Sequence, residues 1–113
     1  MSFGTTRADL AAQLSTVNGV TGYAKRPTII KPGDAWPLFG SANRGPGLAF
    51  EATWRVIVIL GKDEAAAIEK AEALLPELAE AIDPVAYVDT ATPFAVPTQG
   101  GELFALEITA RSE

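Results

Sequence analysis

The sequence predicts an α+β domain, a mostly antiparallel β-sheet with two helices packed on one face, in the order α-β-β-β-α-β-β. Three observations predict it. Along 50–60 and 104–110 apolar residues occupy every second position and so share one face, as they do in strands. Between them, residues 63–82 carry apolar side chains at helical spacing. The links between neighbouring elements are short, which favours antiparallel pairing with the helices gathered on one side. A length of 113 residues suits one domain over 1–113.

Thr6-Arg-Ala-Asp9 places a hydroxyl before an acid in a variant of the capping box, and Leu10, Leu14 and Val17 follow at helical spacing. A short helix is expected over 6–16, stopped by Asn18-Gly19. Residues 20–24 read as a short strand weakened by Gly22. Pro27, Pro32 and Pro37 punctuate 26–39, so 34–39 is expected as an edge strand or an extended arm, because proline cannot donate to a ladder. Gly40 to Gly47, with three glycines and a proline, reads as an exposed flexible loop.

Residues 50–60 form the clearest strand. Phe50, Ala52, Trp54, Val56, Val58 and Leu60 share one face. The other face passes from Glu51, Thr53 and Arg55 to Ile57 and Ile59, so only its later half is expected to be covered on both sides, as in a central strand. Asp63 is placed to cap the next helix, whose inward stripe is Ile68, Ala71, Leu75, Leu78 and Ile82. Pro76 is expected to kink or divide that helix, and Asp83-Pro84 to end it. Val85–Val88 and Phe94–Val96 read as one bent or bulged strand, Thr98-Gln-Gly-Gly101 as a hairpin turn, and 103–111 as the last strand.

Composition narrows the function. With 48% hydrophobic and 20% charged residues the chain has the makings of a folded core. Cysteine and histidine are both absent, which removes disulfides, the usual zinc ligands, the Ser–His and Cys–His pairs and the commonest general base. The expectation is therefore no enzyme, no cofactor and no metal. A net charge of −5 opposes general nucleic-acid binding. No secretory signal is read at the N-terminus, and the longest apolar run, Val56–Leu60, falls far short of a membrane span. Synthesis in a cytoplasm is expected.

Three groups of residues invite a functional reading. The glycine-rich loop leads into a strand and lacks the Lys-Ser/Thr and helix of a phosphate cradle, so a mobile assembly loop with Arg44 at its tip is the better reading. Glu69, Glu72 and Glu80 share a helix without a Glu-x-x-His partner and read as a solvated face. Trp36, Pro37, Leu38 and Phe39, with Asn43 and Arg44, are the candidate assembly interface. Trp36 has two readings, an interface anchor or a side chain folded back on its own sheet.

Val20-Thr-Gly-Tyr23, Arg26-Pro27, Pro32-Gly-Asp-Ala-Trp-Pro-Leu38, Arg44-Gly-Pro-Gly47 and Phe50-Glu-Ala-Thr-Trp-Arg-Val56 resemble the tail terminator proteins of siphophages that infect actinobacteria. Pro84-Val-Ala-Tyr-Val-Asp89 and Leu106-Glu-Ile-Thr-Ala-Arg-Ser-Glu113 extend the resemblance over nearly the whole chain. It implies a virion protein at the head–tail junction, closing with itself into a hexameric ring on the tail tube protein. That ring would stop tube growth and present a surface to the head-to-tail connector or stopper. Genomic DNA would pass through its lumen without specific binding. Another neck or tail component (stopper, connector adaptor or tube protein) is the near alternative, and a small ligand-binding domain the distant one.

Overall fold

The computed structural model describes residues 3–44 and 50–112. Within them lie α1 (Phe3–Leu14), β1 (Thr21–Gly22), β2 (Asp34–Arg44), β3 (Phe50–Gly61), α2 (Glu64–Ile82), β4 (Tyr87–Thr98) and β5 (Gly101–Ser112). The strands form one sheet in the order β1-β2-β3-β5-β4, antiparallel except for the parallel β1–β2 pair. Fold class and element order are those the sequence predicts.

The alternation in β3 sorts the interior into two layers. On the helix side, Ala52, Trp54, Val56, Val58 and Leu60 meet Leu10, Leu14, Val17, Ala67, Leu78 and Ile82, together with Leu106, Ile108 and Ala110 of β5. On the other side, Ile57 and Ile59 join Trp36, Val96, Leu103 and Ala105 beneath Tyr23 and Ile30. The segment between β1 and β2 thus covers the apolar end of this second face. The rest of that face carries the Arg55–Glu107 and Arg111–Asp89 ion pairs. Strand β3 is central and buried on both sides only in its later half, as its composition dictates.

Helix α1 is already formed at Phe3, the first described residue and ahead of the expected cap, and Thr6 is buried within it. The earlier start seats Phe3 on Phe39, with ring centroids 4.9 Å apart. That long-range contact outweighs the local capping pattern. Gly22 lies so close under α1 that a Cβ there would overlap the Ala11 carbonyl.

Asp63 caps α2 through the Ala66 N–H at 2.8 Å. The helix is not divided at Pro76 but runs unbroken to Ile82. Proline removes one hydrogen bond. Pro76 and Glu72 are both exposed, so water can take the freed carbonyl while Ala67, Leu78 and Ile82 hold the axis on the sheet. Ile68 is not part of the inward stripe, being 45% exposed. The stripe centres on Ala67, Leu78 and Ile82, with Ala71 and Leu74 beside it, and Ile68 falls on its flank.

The predicted bulged strand is continuous as β4, with its register shift between Val88 and Thr90. Thr98 pairs with Gly101 across the hairpin, where Gly101 takes φ 111°, a value that favours glycine.

Candidate functional site

The expected loop from Gly40 is strand as far as Arg44. Gly40 marks a bulge instead, since the β2–β3 register shifts between Phe39 and Ser41. A Cβ at Gly40 would lie 2.9 Å from the Thr53 carbonyl oxygen, which is why a glycine stands inside the strand. Gly45 to Gly47 lie outside the described residues.

The six residues read as an interface separate into two groups. Trp36 is 2% exposed and belongs to the second core layer, with the Arg26 guanidinium 5.8 Å from its ring centroid. It takes the folded-back alternative. Pro37 is buried too, on the opposite, helix-side face across from Val56. Leu38, Phe39, Asn43 and Arg44 are exposed. The strand alternation separates these too, because Phe39 packs on the helix side against Trp54 while Leu38 pairs with Arg55 on the opposite face.

Phe39 is one member of a larger surface feature. Phe3, Phe39 and Phe50 are 40%, 41% and 50% exposed. Arg7 lies 5.8 Å from the Trp54 ring centroid and Arg44 lies 5.6 Å from that of Phe50. Trp54 and Phe50 stand four residues apart on one face of β3, so the two ring positions over which the guanidinium groups lie are separated by roughly 13 Å along the strand. Three exposed rings and two cations form one strip along the helix side of the β2–β3 hairpin. Neither arginine makes a salt bridge among the described residues. Phe50 shares the face of Trp54 and Val56 that the alternation gave it, but it is half-exposed at the first residue of β3, where Arg44 lies over its ring. Phe3, Arg7 and Phe50 carry no local mark of a surface role, since only the pairing of β2 with β3 and the docking of α1 bring them together.

The free strand edges have unequal pairing capacity. The Tyr23 N–H donates to the Ala35 carbonyl, so Ala35 points its backbone groups outward, toward β1. Antiparallel alternation carried across the register from Ala35 to Val58, Leu106 and Pro93 turns Pro93 outward at the far edge. The outward positions of β4 are then Ala91, Pro93, Ala95 and Pro97. Two of these four lack an N–H, which blunts that edge against strand addition. On β2, β1 covers only Asp34 and Ala35, and the outer edge from Phe39 to Arg44 has no strand beside it among the described residues.

Concave sites are shallow. A cavity of about 220 Å³ lies beside Ile68, Phe94 and Phe104, and an open groove of about 980 Å³ runs past Arg26, Ile29, Lys62 and Pro97. Among the described residues no three acidic side chains converge as a metal site would need, and no helix is long and apolar enough to cross a membrane. Neither the protein-family models nor the curated protein sequences match this chain.

Proposed function

We propose that this protein is a structural subunit of a phage virion, a tail terminator whose copies close into a ring on the tail tube, halt its growth and join it to the head connector. The observation that carries the reading is the strip of Phe3, Phe39 and Phe50 with Arg7 and Arg44, exposed on a domain whose core is already filled on both faces of its sheet. Aromatic residues and arginine are the residue types enriched at protein interfaces, and they dominate binding energy there. The ring, its hexameric size and its partners (the tail tube protein and the head-to-tail connector or stopper) rest on the resemblance of the sequence to tail terminators. The net charge of −5 is compatible with DNA passing through a lumen without being held. On this reading the protein performs no catalysis and needs no cofactor.

Electron microscopy of particles from a phage lacking this gene tests the proposal. Tails that overgrow to irregular lengths and fail to join heads are the expected result. Tails of normal length beside unjoined heads identify a stopper or connector adaptor instead. Unaltered particles overturn the assembly role and return attention to the groove beside Arg26 and Lys62 as a ligand site.

A further inference from the structure

We infer that the aromatic–arginine strip of one copy docks on the outer face of α2 of a second copy, head to tail; the inference rests on the ring reading above and supplies its contact. The strip needs an acidic, sterically open partner, because Arg7 and Arg44 have no ion pair among the described residues and lie over the buried Trp54 and the half-exposed Phe50 respectively.

The chain itself carries such a surface. The outward side of α2 presents Glu69, Glu72, Glu77 and Glu80, all exposed, around exposed Ala73 and Pro76. None of the four acids is ion-paired among the described residues. Small residues between the acids leave room for rings to lie on the helix. The spacing also agrees. Acids eight and eleven residues apart along a helix are separated by about 12 and 16 Å, which brackets the roughly 13 Å between the two β3 positions whose rings the arginines lie over.

Like-on-like alternatives fail on charge. Two strips face to face would set arginine on arginine, and two α2 faces would set glutamate on glutamate. The contact therefore joins unlike surfaces, and repeated head to tail from copy to copy it is heterologous, the type that generates rings when its rotation closes. A continuous sheet through the subunits is opposed by Pro93 and Pro97 at the β4 edge, so side chains, not strand addition, must hold the next copy.

The absence of cysteine permits a direct test. Ala42 lies between the two arginines on the helix side of β2, and Ala73 lies on the acidic face. Ala42→Cys and Ala73→Cys proteins are mixed and oxidised. A covalent heterodimer is expected from the mixture, and only monomer from each protein alone. Placing Arg7→Glu and Arg44→Glu on the Ala42→Cys chain should lower the yield on the order of tenfold, and Glu69→Lys with Glu80→Lys on the Ala73→Cys chain should restore it. That restoration also establishes that the altered chains are folded. Homodimers from either single variant, or no cross-linked product, overturn the proposal. Six-fold rings of the wild-type protein seen without the cross-link would leave the ring standing and remove this contact. A cross-link formed by a protein whose loss leaves tail length normal would keep the contact and remove the terminator role.

Discussion

The Trp54 indole N–H donates to the Ser112 hydroxyl at 3.0 Å, tying the middle of β3 to the last described residue of β5 across 58 positions of sequence. Both residues are buried, and the ring they position receives Phe39 edge-on and Arg7 above its face. A core hydrogen bond therefore underlies the exposed strip. Ser112→Ala leaves the indole N–H without this partner and is expected to cost about 1–3 kcal/mol. Urea denaturation checks it, and an unchanged midpoint would exclude a structural role for this bond.

Gly22 sets the distance between α1 and the sheet. A Cβ would lie 2.1 Å from the Ala11 carbonyl oxygen, so Gly22→Ala must push the helix away and is expected to cost about 1–3 kcal/mol. Gly100→Ala, where a Cβ meets nothing within 4 Å, is the control and should leave the thermal midpoint almost unchanged. Equal effects at the two positions would refute the close-approach argument.

Pro76 forfeits a helical hydrogen bond at an exposed position of α2. Pro76→Ala should raise stability by about 1–3 kcal/mol, since alanine restores the N–H and has the best helix propensity. Guanidinium denaturation reads the change. A loss of stability would mean that the proline ring makes a contact the helix needs.

Arg55 donates to both carboxylate oxygens of Glu107 at 3.1 Å. The hydrogen bond and the charge of Glu107 hold the Arg55 pKa above the ordinary arginine value, as Asp89 does for Arg111. A raised folded-state pKa contributes stability that is full below the unfolded value and is lost only as pH rises through the folded one. For arginine that window lies above the range in which proteins are normally handled. The arginine side of this pair should therefore contribute equally at about pH 7 and about pH 10. The pair is half-exposed, so Glu107→Gln should cost under about 1 kcal/mol, and less at high salt. Denaturation midpoints of both proteins at the two pH values check this. A difference that vanished at the higher pH would refute it.

Local chemistry made some of the fold legible in advance. Asp63 caps α2 because an acid before a helical stripe has a nearby N–H to accept from, and Thr98-Gln-Gly-Gly101 turns because Gly101 can take a conformation that other residues avoid. The alternation of β3 announced its position, since Ile57 and Ile59 would be misplaced on a solvated face. Of the candidate site, Phe39 and Arg44 were legible as exposed large side chains in a proline- and glycine-rich stretch. Their partners were not. Phe3, Arg7 and Phe50 join them only through strand pairing and helix docking, and Trp36, equally apolar in sequence, turned the other way.

By itself, then, the sequence determined the elements and their order, because hydrophobic periodicity and turn chemistry act between near neighbours. It also determined that the domain must work without cysteine or histidine. Tertiary structure alone decided which aromatic rings were buried and which edge could accept a partner. Those outcomes depend on strand register, and one residue of register moves a side chain from one face of a sheet to the other. A glycine that read as a loop became a bulge because the Thr53 carbonyl approached it, and α1 reaches ahead of the expected cap at Thr6 and sets Phe3 against Phe39.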